Sequence, residues 1–518
     1  MNRKICNRLF FCICFSLVFF NIPKFLQLNF LAGSMAGKLV FYPLLIGMIY
    51  SCYCQYKCRN VFIHFSKFIK YIGIFFGINF LSLIIGLLIY PYYDLILNGP
   101  IEQIEKLPKV LELLHIFGIN IEEQFLLIIW MIIRTIKTLL LDTVYTFFGA
   151  YIIYCWYHDN WKTAVNILLK GVSCSIGIIF IYSFIELFYL TGNEWATNIL
   201  IVITPFFHTI VVDHNWWPPL LWKGQLRSIF AEPSYFGMYA AFAMPFLWYK
   251  FVVVKNNKRK LIYALIITVF SFLLFLTKAR TAVALFSGEV CILLVYMIYL
   301  RNKAFIKNVL LICSCAVIAF TSANIFIPNM ANTKNNAEIS IEGYLEDNLG
   351  SLASTEKRSN TARYSIMLAN LNIGMDYPLL GVGLNLNDAY IPEYLPEMSE
   401  NNREVNMWIN DQKEKGVLKS GFPSLGEYTS RFAETGIIGL IVFFLPAVVL
   451  LKSLLKKILS KNMEYNNRIM YMFFSISFIG TLAVGIGDSI NITYCYWVLL
   501  GLGYAMCFGK PGDDIKHE

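Results

Sequence analysis

The chain has 518 residues, of which 57% are hydrophobic, 16% aromatic and only 15% charged. This is too apolar for ordinary soluble domains, and its repeated apolar runs of roughly 18 to 25 residues have the length needed to cross a bilayer as helices. The formal net charge of +10 is explained by basic loops retained on one side of a membrane, so no nucleic-acid partner is expected.

In chain order, the expected spans are residues 8–22, 36–54, 70–92, 136–156, 168–190, 235–254, 260–277, 280–300, 307–327, 434–453, 468–487 and 491–508. The fold class is therefore an all-α polytopic membrane protein with about twelve transmembrane helices. Arg3, Lys4 and Arg8 give the first run the look of a signal-peptide core, but no small-residue cleavage site follows, so it reads as an uncleaved anchor. Arg134 and Lys137 interrupt residues 122–156, which form either one bent helix or an interfacial segment followed by a span.

Basic residues orient the chain. The N-terminus, Lys57/Arg59/Lys67/Lys70, Lys255/Lys258/Arg259/Lys260, Arg301/Lys303/Lys307 and Lys452/Lys456/Lys461/Arg468 fall on one side, which makes both termini cytoplasmic. Residues 1–327 then hold nine helices with outer loops at 93–135 and 191–234. Residues 328–433 form one large extracytoplasmic (periplasmic) loop between helices 9 and 10. Residues 434–518 hold the last three helices and a short cytoplasmic tail.

The large loop carries nine Lys/Arg against fourteen Asp/Glu and reads as a lid of short helices. Its best helix is 360–374, with Tyr364, Met367, Leu368 and Leu371 on one face and Asn360 or Thr361 as cap. Asp376-Tyr377-Pro378 and Gly381-Val382-Gly383 then form a turn-rich stop. All thirteen cysteines lie in expected spans or cytoplasmic segments, so disulfides are not a structural device. Cys52, Cys54 and Cys58 read as free thiols, because the first two are an i, i+2 pair on different helix faces, and no metal site is expected.

Cations on the exterior side run against the topological bias. Arg227 precedes the sixth span, Lys278 and Arg280 fill a tight turn before the eighth, and Arg431 lies just before the tenth. These three helices present their N-termini, with free N–H groups and the positive dipole end, to the exterior, where arginines make an anion site suited to phosphate. Pro233 fits a first helical turn and puts Glu232 near the cap. Glu232 could be a general base, a partner for Arg227 or only the cap, and Lys278 and Arg280 could instead be interfacial snorkelling residues. Arg358 and Arg363 either reach the same anion from above or belong to a solvated helix paired with Glu356. Trp216, Trp217 and Trp222 either stack on sugar faces or form an interfacial aromatic belt.

In order along the chain, these residues form a pattern. Arg227 is followed by Phe230-Ala231-Glu232-Pro233-Ser234, then Leu276-Thr277-Lys278-Ala279-Arg280-Thr281-Ala282. Next come Arg363, Asp376-Tyr377-Pro378-Leu379-Leu380-Gly381-Val382-Gly383, and Tyr428 with Ala433-Glu434-Thr435-Gly436-Ile437-Ile438-Gly439. With the long outer loop, this ordered set over residues 224–445 resembles the O-antigen polymerase and O-antigen ligase superfamily of bacterial surface-polysaccharide enzymes.

The resemblance implies an inner-membrane glycosyltransferase that uses an undecaprenyl-pyrophosphate-linked glycan on the periplasmic face. Arginines would stabilise the charge that grows on the departing pyrophosphate, with no cofactor and no metal expected. Arg280, Arg227, Glu232 and Glu434 are the expected catalytic residues, the two glutamates as candidate bases for the acceptor hydroxyl. Lys278, Arg358, Arg363, Arg431, Tyr428, Trp216 and Trp217 are the expected binding residues. Ligases of the superfamily usually carry a histidine shortly before the Glu-Thr-Gly motif, whereas residues 328–433 contain none, which favours a polymerase. The alternatives are a ligase transferring glycan to a lipid acceptor and a lipid-linked oligosaccharide flippase, although the chain shows no internal repeat of the kind transporters often have. Membrane lipid, a chain-length regulator and a flippase are the expected partners.

Overall fold

The computed structural model describes residues 1–20, 22–29, 33–207, 224–327 and 358–510, without the side chains of residues 34, 358 and 359. The apolar runs become helices. They are α1 (Arg3–Ser16), α2 (Phe41–Cys58), α3 (Phe65–Leu88), α4 (Glu123–Tyr157) and α5 (Trp161–Leu190). Then follow α6 (Pro233–Val253), α7 (Asn257–Leu276), α8 (Arg280–Leu300), α9 (Lys303–Phe326) and α10 (Arg358–Asp376). The last are α11 (Asn387–Tyr394), α12 (Arg403–Lys415), α13 (Glu427–Leu459), α14 (Tyr465–Gly487) and α15 (Cys495–Phe508).

Among the described residues, nine helices are long and apolar enough to cross a membrane: α3 to α9, α13 and α14. They correspond to nine of the twelve expected spans; the expected spans 8–22, 36–54 and 491–508 form α1, α2 and α15, which fall outside this set. Helices α1 and α15 have only 14 residues each, about 21 Å of rise against a hydrocarbon core of about 30 Å. Helix α2 has 18 residues but ends in a polar turn with Gln55 and Lys57. The ambiguous stretch around Arg134 and Lys137 is one continuous helix, broken only by a π-helical turn at Val144–Phe148.

Two helices sit inside the rest. Helices α6 and α14 bury 78% of their most apolar stretch, whereas the other seven bury 28 to 50%. They are tied by the Ser477 hydroxyl, which donates to the Phe242 carbonyl at 2.8 Å. Helix α8 joins them through Tyr296, hydrogen-bonded to Ser475 at 2.6 Å. Near its start α8 also approaches α6 so closely that a Cβ on Gly237 would lie 2.5 Å from the Ala282 Cα.

The turn after α10 clasps a break in α13. Gly436 has φ 61° and ψ −168°, a conformation that interrupts the helix, and a Cβ there would come within 2.3 Å of the Leu379 backbone. The Val382 and Gly383 N–H groups donate to the carbonyls of Ala433 and Glu434, and the Ile437 N–H donates to Pro378. The Ser82 hydroxyl of α3 closes the clasp on the Leu380 and Glu434 carbonyls. Thus two of the sequence motifs, Asp376 to Gly383 and Ala433 to Gly439, are one interlocked backbone unit.

Helix α10 forms where expected but buries another face. Ala362, Ser365, Ile366, Ala369, Asn370 and Ile373 are buried, while Leu368 and Leu371 are each 38% exposed. The polar positions are tolerated because Asn370 accepts from the Asn387 amide of α11 at 2.9 Å. Neither Asn360 nor Thr361 is the cap, since the helix begins at Arg358.

Candidate functional site

The starts of α6 and α8, the end of α14 and the first turns of α10 enclose a cavity of about 560 Å³. The close approach at Gly237 and Ala282 brings Glu232 to Ser234 on one helix start beside Lys278 to Thr281 on another. Lys278 sits at φ 49°, a left-handed conformation uncommon for a lysine, in the three-residue joint between α7 and α8. Thr277 fixes that joint: its hydroxyl donates to the Leu274 carbonyl at 2.6 Å and accepts the Ala279 N–H at 3.1 Å. Arg280 is the first residue of α8. Lys278, Arg280 and Arg363 all line the cavity, beside two helix N-termini. Cations and helix starts together favour an anion.

Acidic groups hold one of these cations. Arg363 donates through Nη1 to the Gly487 carbonyl at 2.7 Å and stands 3.6 Å from the Asp488 carboxylate at the end of α14. Burial pushes the Asp488 carboxyl up to about 6, against the pull of Arg363. Glu232 occupies the N-cap position of α6 but makes no capping bond; its carboxylate instead accepts the Ser234 hydroxyl at 3.2 Å. Burial also raises the Glu232 carboxyl, opposed by Arg363, and burial lowers the Lys278 ammonium. Deeper in the cavity lies Glu289 of α8, only 2% exposed.

Other residues expected at one site are elsewhere. Arg227 does not line this cavity: it is 1% exposed, with its Nη1 on the Phe230 carbonyl at 3.2 Å. The turn it begins is held by Glu186 of α5, which accepts the Arg227 and Ser228 N–H groups at 3.0 and 2.6 Å. The chain folds back here because the Leu226 N–H pairs with the Leu276 carbonyl at the end of α7. Tyr428 packs its ring against Phe444, and its hydroxyl donates to the Leu482 carbonyl. Trp216, Trp217 and the Arg358 side chain lie outside the described residues.

Arg431 and Glu434 belong to a second polar group, beside the π-helical turn of α4. The Arg431 Nε donates to Glu427 at 2.6 Å, and its guanidinium lies 3.9 Å from the centroid of the Phe443 ring. Glu427 also accepts the Ser489 hydroxyl at 2.8 Å, and Glu434 accepts the Asn385 N–H at 3.2 Å. Asp142 borders the same small space of about 90 Å³, and the Lys38 ammonium donates to the Asn491 carbonyl alongside. The segment Asp488–Ser489 joins this group to the cavity, because Asp488 meets Arg363 while Ser489 meets Glu427.

Sequence reasoning missed Asp488, Glu186 and Glu289. Two of them carried a readable signal, an acidic residue inside an otherwise apolar span. Among the described residues, no three His, Cys, Asp or Glu side chains converge as metal ligands would.

Comparison with known proteins adds a family. Residues 264–409 match the family model described as O-antigen ligase (Wzy_C), so this stretch is similar to that family. The matched stretch supplies Lys278, Arg280, Glu289 and Arg363. A search of curated proteins found no match. Among the described residues, nine helices are long and apolar enough to cross a membrane, and three of them, α7 to α9, lie wholly or mostly in the matched stretch.

Proposed function

We propose that the protein is a surface-polysaccharide polymerase that joins undecaprenyl-pyrophosphate-linked repeat units on the periplasmic face of the bacterial inner membrane. The observation that carries this reading is the convergence of Lys278, Arg280 and Arg363 on one cavity at the starts of α6 and α8. In this reading the pyrophosphate binds among these cations, and both termini are cytoplasmic, since the basic loops lie at the opposite ends of the same helices. The chain divides into the spans of residues 1–327, a periplasmic segment 328–433 whose helix α10 borders the cavity, and the final helices of 434–518.

The reaction is a displacement at the anomeric carbon. An acceptor sugar hydroxyl attacks that carbon, the bond from the carbon to the pyrophosphate oxygen breaks, and the polyprenyl pyrophosphate leaves with the electron pair. Arg280 and Lys278 stabilise the charge that grows on the leaving oxygen, while Arg363, held by Asp488, orients it. The hydroxyl proton passes to Glu232, whose carboxyl is made more basic by burial. Glu434 is not on this path, because its carboxylate borders the other polar group. Arg227 supports the turn that presents Glu232.

A ligase remains the second reading, favoured by the description of the matched family. The absence of histidine from residues 328–433 favours the polymerase. The glycan profile of a strain lacking the protein decides between them. Surface glycan stopped at one repeat unit is the expected result; full-length polymer retained on its lipid carrier would indicate a ligase, and single units facing the cytoplasm a flippase.

A further inference from the structure

The cavity has two ends of different chemistry. Its mouth carries Lys278, Arg280 and Arg363. Nine residues further along α8, about 13 Å by helical rise, Glu289 lies among Leu285, Ile292, Ile479 and Gly480. The carboxyl rests over Gly480, where a Cβ would meet its Oε1 at 2.5 Å. Neither carboxyl oxygen has a hydrogen-bond partner among the described residues. Beside it Gly288, which also lines the cavity, is exposed, and a Cβ there would meet nothing within 4 Å.

An unpartnered carboxyl inside a membrane-spanning helix is costly, and such residues mark ligand sites more often than they support a fold. A polyprenyl chain cannot relieve that cost, because hydrocarbon neither donates nor accepts a hydrogen bond. A sugar hydroxyl does both, and so satisfies the carboxyl whether or not it carries a proton.

We infer that Glu289 is a substrate-binding residue that hydrogen-bonds a sugar hydroxyl, so that glycan, not the polyprenyl chain, fills the inner end of the cavity. This rests on the reading of the cavity as the site for a lipid-linked glycan. It divides the substrate between two grips: the pyrophosphate is held at the mouth and a sugar ring is held within. Selection among glycans then depends on Glu289 and on the small residues Gly288 and Gly480 around it.

The test compares two probes, undecaprenyl pyrophosphate without sugar and the lipid-linked repeat unit isolated from a strain lacking the protein. Binding of each to the purified full chain is measured beside its thermal unfolding. Glu289→Leu should weaken the lipid-linked repeat unit at least 10-fold, leave the sugarless carrier within twofold, and leave the melting temperature equal or higher. Glu289→Gln, which keeps a hydrogen-bonding head, should retain most of the binding. Gly288→Leu, which fills the inner end without touching the carboxyl, should also discriminate against the sugar-bearing probe. Equal binding of both probes by Glu289→Leu and wild type overturns the inference, as does tighter binding of both, which would place the hydrocarbon there. A lowered melting temperature with equal losses for both probes would make Glu289 structural and overturn it too. Wild-type protein that binds neither probe overturns the reading of the cavity, and this inference with it.

Discussion

The cavity and the second polar group are built from the same residue types and treat them in opposite ways. Around Arg431 the charges answer one another: Glu427 pairs with its Nε, Phe443 covers its face, and Ser489 holds the remaining oxygen of Glu427. Such a network fixes helices in register and leaves only about 90 Å³ of space. In the cavity, Lys278 sits in a left-handed turn and Glu289 has both oxygens unpartnered, around about 560 Å³. Charge that is internally satisfied stabilises a fold; a carboxyl left without a partner, as that of Glu289 is, is available to a ligand. Ionisable residues in a membrane protein are therefore better sorted by what completes them than by their sequence motif.

The sharpest division between the two regions is expected from Arg280→Ala. Loss of an oriented cation beside a leaving group costs about 100-fold or more in rate, so elongation of lipid-linked units by the purified variant should nearly vanish while the protein remains folded. A wild-type rate would break the assignment, and Arg280→Lys should also be impaired, because the planar fork is lost. Arg431→Ala should do the reverse. It leaves Glu427 without its cation in a buried site, a loss of about 3–5 kcal/mol readable in denaturation, with binding of the sugarless carrier unchanged in the folded fraction. Gly436→Ala should cost at least ~2 kcal/mol, since a side chain is forced into a positive-φ position against the Leu379 backbone.

A pH titration sharpens the boundary between the regions. As pH falls through about 6, Asp488 takes up a proton and Arg363 loses its anionic partner. Carrier binding should weaken several-fold over that window, and Asp488→Asn should remove the dependence. Stability runs the other way: the folded carboxyl titrates near 6 and the unfolded one near 3.8, so between these values the folded state holds more protons. The contribution of this group to stability is thus fully present below about 4 and is lost as pH rises to about 6. The smallest effect is expected from Tyr428→Phe, about 1 kcal/mol for the hydrogen bond to Leu482. A tenfold fall in activity would instead join Tyr428 to the cavity.

Local signals in the sequence were legible wherever the chemistry was local. Pro233 does open a helix with Glu232 before it, and Lys278 and Arg280 do share a tight joint. Arg363 lies 19 residues before Val382 yet acts on Asp488, a partner 125 positions further on, which no spacing rule reveals. Arg227 is near Glu232 in sequence but does not share its cavity: the chain folds back through the Leu226 N–H bond to the Leu276 carbonyl, and the Arg227 side chain is buried. The glycines of the two interlocked motifs were visible as turn signals, but their reason, a backbone-to-backbone contact across more than 50 residues, belongs to the tertiary fold. Hydropathy located the nine long helices, and it also picked out α1 and α15, which are apolar but only 14 residues long.

The deep placement of α6 and α14 has a consequence for the bilayer itself. Thickness mismatch acts on helices through the surface they share with lipid, and these two share little of theirs. Thinner or thicker membranes should therefore tilt the outer helices first, while the walls supplied by α6 and α14 keep their spacing. The chamber is in effect suspended from an inner frame.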